Sequence, residues 1–408
     1  MSRTTLDSLA ALFDQVVFPL KRDEFLRDYW GKKFVRQQGK RDRFQPLLSW
    51  NQLNGVLEQH AFNERIRLVR NGRPLDRELY LDTRRSWPVI NASALVSRLA
   101  DGATLVIDAI DDLVPSVREL AEAIELVIRT KTQVNLYAGW RTDHGFDLHW
   151  DDHEVLILQI DGRKRWQVFE PTRVHPIKDD VAPVRKPEGL PVWDGILERG
   201  DMIHVPRGWW HVAFPLDEPC LHLTVSVSPP TAVDLFRWLA DRLKIHTEVR
   251  GNLPDDVQAD LSAYVSRLRE LMAASLHEQN LQMFWDDWQA RIPSRPSVGL
   301  PLSPLWRGTP LTMDTLVRLA ASRKLRFDQL HEGDSIRFHS ETATGVFARD
   351  LLPALQELDG VEWRSVRELC ARVPTTRAVD LRATLTALSV QGALSTRPPN
   401  GGTDEEAP

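Results

Sequence analysis

Cysteine is nearly absent: the chain of 408 residues has only Cys220 and Cys370, far apart and in no metal-binding spacing. A disulfide framework is therefore not expected, and the reducing cytoplasm is the expected setting. No apolar run approaches the roughly 20 residues of a transmembrane helix, so no membrane partner is expected. The opening Met1-Ser2-Arg3-Thr4-Thr5-Leu6 lacks the apolar stretch of a secretory signal. Nor is there an excess of charge of one sign: 52 Lys and Arg face 57 Asp and Glu, for a net charge of −5. That balance gives no global reason to expect a nucleic-acid partner. What remains is an ordinary globular composition, long enough for two or three domains of roughly 100–200 residues each.

The texture changes along the chain. Leu9 to Phe18, Arg22 to Trp30 and Ser49 to Glu58 have helical patterning, with a strand-like Phe34-Val35 between them. Asn71-Gly72-Arg73-Pro74 is a turn signal, and Pro115 stands near the start of a helix predicted to end by Arg129. From Thr132 the pattern is that of a sheet. Gln133-Val134-Asn135-Leu136-Tyr137 alternates, which puts Asn135 and Tyr137 on one face. Val155–Ile160 and Arg165–Phe169 read as strands joined by Asp161-Gly162, a favoured hairpin dipeptide. Met202–Val205 and Leu221–Val227 add two more, and Pro229-Pro230 stops the sheet. Short strands between turns predict an antiparallel sandwich of the jelly-roll class.

After Pro230, Leu235, Trp238, Leu239 and Leu243, then Leu261, Val265, Leu268, Leu271 and Leu276, fall at helical spacings. Pro293 to Pro304 is a proline-punctuated linker. Beyond it, helices are predicted around Thr312–Ser322, Ala348–Leu358, Ser365–Ala371 and Leu381–Gln391, with a β-like Ser335–Phe338. This mixture resembles a winged helix. The stretch from Arg397 to Pro408 is rich in Pro, Gly and acid and is predicted to be a disordered tail.

Two clusters carry the chemistry. His149-Trp150-Asp151 supplies an imidazole and a carboxylate, with His144, Asp147, Asp152 and His153 crowded around them. Alone, such a segment is most often a polar loop. About sixty residues later, Gly200-Asp201 leads into a strand, and Pro206-Arg207-Gly208 closes a tight turn before Trp209-Trp210-His211. Antiparallel strands so separated can bring His211 beside His149, and a rigid turn suits a ligand that tolerates little positional error. His204 and His222 compete for the same role. Two imidazoles and one carboxylate form the face that holds non-haem Fe(II) with open positions. On the intervening strand, Lys164 shares a face with Trp166 and Val168, whereas Arg163, Arg165 and Gln167 point the other way. A lysine travelling with the apolar set is placed to anchor an acidic cosubstrate.

The run from His149 to Gln159, followed by Gly162-Arg163-Lys164-Arg165-Trp166, resembles the JmjC (cupin-like) Fe(II)/2-oxoglutarate oxygenases. Gly200-Asp201, Pro206-Arg207-Gly208 and His211 match that family's distal-histidine box. The order of textures is similar to that of the ribosomal oxygenase subgroup, which hydroxylates side chains of ribosomal proteins. The resemblance implies an α+β chain: a double-stranded β-helix (jelly-roll) core, a helical dimerisation region and a C-terminal winged helix. The corresponding boundaries are 1–228, 229–298 and 299–396, with the tail at 397–408. It implies His149, Asp151 and His211 as iron ligands and Lys164 as partner of the distal carboxylate of 2-oxoglutarate. Asn135 and Tyr137 would lie near the cosubstrate, and Thr224 and Ser226 resemble the family's hydroxyls on the last core strand. His204 departs from the pattern, standing where an aromatic residue is common.

The expected activity is hydroxylation of an amino-acid side chain of a protein, with Fe(II), 2-oxoglutarate and O2 as cofactors and a homodimer formed through residues 230–290. One alternative is a hydroxylase of a biosynthetic peptide or natural-product precursor. A zinc hydrolase would leave Lys164 without a role. A DNA-binding regulator with a sensory cupin needs a basic face. Between Leu300 and Pro398, however, 13 Lys and Arg meet 11 Asp and Glu, so nucleic acid is not expected.

Overall fold

The computed structural model describes residues 3–59, 63–84, 87–178, 185–254, 261–292, 295, 310–320, 326–329, 334–339, 344–358 and 362–397. The chain forms two compact units, one of Ala10–Asp286 and one of Asp287–Pro408 with Met1–Leu9.

In the first unit, thirteen described strands are β1 (Val35–Gln37), β2 (Ile66–Arg70), β3 (Arg73–Pro74), β4 (Leu81–Asp82), β5 (Val89–Ile90), β6 (Thr104–Ile107) and β7 (Thr132–Gly139), followed by β8 (Glu154–Asp161), β9 (Lys164–Phe169), β10 (Trp193–Leu197), β11 (Met202–Val205), β12 (Trp210–Pro215) and β13 (Cys220–Val227). Eight of them form a major sheet in the order β1-β11-β8-β13-β7-β6-β2-β3, and β10-β9-β12 form a minor one. The pairings are antiparallel, as in the sandwich that the alternating patterns predict.

Burial separates the two faces of the major sheet. Leu156, Leu158 and Ile160 of β8, with Leu221, Leu223 and Val225 of β13, join the large outer core. Helices α1 (Arg3–Val17), α2 (Arg22–Asp28), α3 (Trp50–Glu58), α4 (Ala92–Ala100) and α5 (Pro115–Ile128) contribute Phe13, Phe25, Leu53, Leu95 and Leu120 to it. Between the sheets a smaller cluster holds Val155, Ile157, Trp166, Val168, Leu197, Ile203 and Val205. Side chains alternate along a strand, so β8 feeds the outer core with Leu156, Leu158 and Ile160 and the inner cluster with Val155 and Ile157.

Local chemistry sets the helix ends. Ser49 and Gln52 form a capping box on α3, and Asn91 accepts the Ala94 N–H on α4. Pro115 opens α5, which ends at Arg129 in the left-handed region, as the proline predicts. The turn after β2 has Asn71 and Gly72 at φ 50° and 73°.

The dipeptide Asp161-Gly162 turns the chain, but not into a hairpin. β8 pairs with β11 and β13, while β9 pairs with β10 and β12, so the turn carries the chain from one sheet to the other. Gly162 lies at φ 64°, where an added Cβ would collide with the Pro219 carbonyl. The dipeptide specifies the reversal; the partner strands specify the sheet.

After the sheets come α6 (Ala232–Leu243), α7 (Thr247–Arg250), α8 (Leu261–Ser275) and α9 (Glu278–Ala290). Asp234 accepts from both the backbone N–H and the hydroxyl of Thr231, which starts α6. Trp238 meets Phe284 edge-on at 5.9 Å, which packs α6 on α9.

In the second unit, β14 (Leu316–Leu319) lies between β18 (Arg364–Ser365) and β19 (Leu394–Arg397), and β15 (Arg326–Gln329), β16 (Ser335–His339) and β17 (Thr344–Ala348) form another sheet. Helices α10 (Leu352–Gln356), α11 (Val366–Cys370) and α12 (Ala378–Val390) share one core with them through Leu355, Leu369 and Leu385. The helix predicted around Thr312–Ser322 is instead strand β14. Val317 and Leu319 face the core and β19 supplies the pairing, so a distant strand overrides local spacing. Residues 398–408 of the predicted tail lie outside the described residues.

Candidate metal centre

The site lies where the segment after the 140–148 loop meets the start of β12. The His211 N–H donates to the His149 carbonyl at 2.8 Å and the His149 N–H to the His211 carbonyl at 3.2 Å. One reciprocal backbone pair thus joins two histidines 62 positions apart. Next to it, the Gly208 N–H donates to the Asp151 carbonyl at 2.8 Å, and the Trp209 N–H closes the turn on Pro206 at 3.1 Å. Gly208 has φ 85°, and a Cβ there would meet Pro176 Cδ at 2.7 Å and the Arg173 carbonyl at 2.8 Å. Glycine is required on both counts.

Asp201 has a structural task. Its buried carboxylate accepts from Arg36 Nη2 at 2.7 Å, Gly39 N–H at 3.1 Å and Glu198 N–H at 3.2 Å. It ties β11 to β1, the strand beside it.

Ligand atoms of His149, Asp151 and His211 lie within 4.8 Å of one another. Asp151 Oδ2 is 3.5 Å from His211 Nε2, and Oδ1 is 4.0 Å from His149 Nε2. These distances are too long for good hydrogen bonds. They suit a shared ion: two ligands each about 2.1 Å from one metal stand up to about 4.2 Å apart. His149 Nδ1 is bound to the Asp147 carbonyl at 2.7 Å, and His211 Nδ1 to the Trp209 carbonyl at 3.2 Å. A carbonyl only accepts, so each Nδ1 carries the proton and each Nε2 presents its lone pair to the common centre. The donor set therefore fits a divalent ion of the Fe(II) type.

Electrostatics agree. Burial, reinforced by the neighbouring His149, pushes His211 down to about 4, so it is neutral and ready to ligate. Burial alone would raise Asp151, but its electrostatic interactions with the surrounding His211, His153 and His149 outweigh it and hold the carboxylate below its usual range. The His149 side chain is 40% exposed, so the centre opens toward solvent on that side.

The competing histidines go elsewhere. His204 lies on the outer face of β11, fully buried between Phe25 and Trp30 at 5.3 Å from each, and bonds Glu154 at 3.1 Å. That contact explains the departure from an aromatic residue: a buried carboxylate waits for it. Glu154 escaped the sequence reading because its partner is reached only through the β8–β11 pairing. His144 binds Asp147 at 2.8 Å, and His153 binds Asp152 at 3.1 Å. His222 faces the interior, stacked on Tyr137 with centroids 4.9 Å apart and planes within 4°.

Lys164 has only 5% of its surface exposed, on the interior face with Trp166 and Val168. Among the described residues no carboxylate pairs with it; its ammonium lies 5.8 Å from the Trp166 ring. Burial lowers its pKa. Asn135 Oδ1 accepts from the Ala109 N–H and from Gln133 Nε2, both at 3.0 Å. Burial, with Asp151 nearby, pushes the Tyr137 phenol up to about 12, so it stays protonated. Thr224 stands opposite Asn135 and Ile157, and Ser226 opposite Gln133 and Val155, both half-buried on the same interior face. The interior thus gathers Lys164, Tyr137, Asn135, Thr224 and Ser226 from three strands.

Fold and site together define a double-stranded β-helix with a two-histidine, one-carboxylate face. Residues 113–235, which hold the site, match the JmjC domain family. Over 224 residues, 52% of this chain, it is 26% identical to the bifunctional lysine-specific demethylase and histidyl-hydroxylase NO66 of Drosophila simulans, covering 25% of that protein. Against the Culex quinquefasciatus NO66 the identity is 27% over 253 residues, 58% of this chain and 38% of that one. The chain thus spans only a minor part of the curated relatives it matches. Among solved structures, the Escherichia coli ribosomal oxygenase YcfD superposes with a TM-score of 0.58 at 18% identity, over 93% of this chain and 98% of that one. YcfD in complex with cobalt and 2-oxoglutarate gives 0.55 at 18% identity, over 93% and 99%. At this identity the likeness shows a common fold.

Proposed function

We propose that the protein is an Fe(II)- and 2-oxoglutarate-dependent oxygenase that hydroxylates an amino-acid side chain of a protein, with ribosomal proteins as the first substrates to test. The observation that carries this reading is a buried Lys164, paired with no carboxylate among the described residues, on the same interior as the three-ligand face. A buried ammonium without a counter-ion is costly unless a ligand supplies the anion. A dicarboxylate whose other end reaches a metal meets that need.

His149, Asp151 and His211 would hold the iron and leave its remaining positions open. When bound, Fe(II) with 2-oxoglutarate supplies the oxidative activation of O2 needed to place oxygen in a C–H bond. Lys164 gives the distal carboxylate a charge-assisted hydrogen bond. Tyr137, protonated at neutral pH, offers a further donor, as do the hydroxyls of Thr224 and Ser226 on the same face. Ile157, Trp166 and Val168 keep the interior apolar and dry, which strengthens these contacts. The exposed flank at His149 is the side from which a substrate would approach.

The helices after β13 and the turns between them support a homodimer: Val233, Phe236, Ile245, Val265, Leu276 and Leu281 are each at least 39% exposed. The two small sheets and three helices among the described residues of the second unit support a winged-helix reading, with near-neutral charge favouring a packing or protein-binding role. No helix among the described residues is long and apolar enough to cross a membrane.

The test is iron-dependent conversion of 2-oxoglutarate to succinate, followed by mass spectrometry of ribosomal proteins for a gain of one oxygen atom. Lys164→Glu should abolish turnover while leaving metal binding intact. Turnover by that variant, or none by the wild type, would overturn the assignment.

A further inference from the structure

His222 is a buried histidine whose Nδ1 has no hydrogen-bond partner among the described residues. The residue is 2% exposed, and that nitrogen is sealed from solvent. Leaving a buried polar atom unsatisfied costs about 1–3 kcal/mol, so the arrangement calls for a reason. Its neighbours on the interior face share the condition. Gln159, opposite it on β8, has an unpartnered buried Oε1, and Trp166, which meets the His222 ring edge-on at 5.5 Å, has an unpartnered Nε1. Lys164, paired with no carboxylate among the described residues and with its ammonium 5.8 Å from the Trp166 ring, completes the group. Trp166 also approaches the His211 ring at 6.2 Å, so this polar interior adjoins the metal centre.

The ring is held firmly. Tyr137 lies against one face, and the cross-strand register on β13 fixes His222 between Tyr137 on β7 and Gln159 on β8. Burial, with the charge of Lys164 behind it, keeps the pKa of His222 well below its ordinary value. A neutral imidazole has one N–H to donate and adds no second positive charge beside the lysine.

We infer that His222 donates a hydrogen bond to the distal carboxylate of the cosubstrate, making with Lys164 a two-donor clamp that selects a dicarboxylic 2-oxo acid over a monocarboxylic one of equal length. This rests on the reading of the site as one for 2-oxoglutarate. It explains why a ring that stacks on Tyr137 is a histidine and not a phenylalanine.

The test uses the full chain loaded with Fe(II) under exclusion of oxygen, titrated with 2-oxoglutarate and separately with 2-oxopentanoate, which lacks the distal carboxylate. Binding is followed by the visible charge-transfer absorption of the metal-bound 2-oxo acid. His222→Phe keeps the aromatic stack and removes both nitrogens. It should weaken 2-oxoglutarate about ten- to a hundred-fold, the range of one hydrogen bond to a charged group, and leave 2-oxopentanoate and metal content unchanged. His222→Gln keeps a donor and should recover most of the loss. Equal weakening of both acids by His222→Phe would make the residue a packing element only, and wild-type affinity in that variant would remove it from the pocket; either overturns the inference. If the wild type itself binds no 2-oxoglutarate, the functional reading fails with it. If the wild type binds and His222→Phe binds equally, only the inference falls.

Discussion

Replacing Lys164 with methionine should make the metal-free protein more stable and blind to its cosubstrate. The residue is 5% exposed, lowered in pKa by burial, and paired with no carboxylate among the described residues. Methionine fills nearly the same volume along the Trp166 wall and removes the unpaired charge. Exchanging buried charge for apolar packing of similar volume is worth up to about 1–4 kcal/mol. For a unit of this size each kcal/mol moves Tm by about 2–4 °C, so a rise of about 2–16 °C is expected. The wild type, saturated to about a hundred times Kd, should gain about 2.7 kcal/mol from 2-oxoglutarate, and the variant nothing. Thermal unfolding of both proteins, first metal-free and then with manganese and 2-oxoglutarate, reads the two effects with opposite signs. A variant that melts below the wild type, or that 2-oxoglutarate still stabilises, would refute the reasoning.

Three other perturbations follow from the geometry. Gly72→Ala places a Cβ against the Asp147 carboxylate at φ 73°, and the Asp147 carbonyl holds His149 Nδ1; a loss of about 1–3 kcal/mol in urea unfolding and about 10–100-fold in metal affinity by competition with a chelator is expected. Unchanged metal affinity would separate the turn from the site. His204→Leu strands the buried Glu154 carboxylate, so stability should fall by about 3–5 kcal/mol while the folded protein at low temperature still takes up one metal per chain; loss of metal at full folding would mean that His204 is a ligand after all. For the metal-free protein, His211 takes no proton in the folded state until about pH 4, whereas the unfolded chain protonates it near 6.5. The unfolded state therefore binds more protons between these values. The full contribution, about 3 kcal/mol, is present above pH 6.5 and is lost progressively down to pH 4. Urea unfolding at pH 7 and pH 5 should show the drop, and His211→Gln should shrink it; an equal slope in both proteins would assign it elsewhere.

The alternation around Lys164 was legible because it is local: three residues of β9 suffice to separate a lysine among tryptophan and valine from two solvated arginines. The turns at Gly72, Gly162 and Gly208 were legible for the same reason, since each needs a residue free of Cβ or a tight reversal. What followed each turn was not. Asp161-Gly162 has the chemistry of a hairpin, yet β9 joins the opposite sheet because Val168 and Trp166 are buried against Val155 and Ile157 across the sandwich. Leu316–Leu319 has apolar positions that satisfy either period over so short a span, and only β19, some 75 residues on, decides for a strand.

The sequence by itself determined the chemistry on offer: which imidazoles and carboxylates exist, which of them share a strand face, and where the backbone must turn tightly. Tertiary structure chose among them. His204 and His211 are both strand histidines near one turn, but β11 turns His204 outward to Glu154 and β12 turns His211 inward to Asp151. The physical reason is that side-chain alternation is a local property of the backbone, whereas the face that becomes the interior is set by pairing between distant strands. The reciprocal bonds of His149 with His211 are that pairing at the site itself.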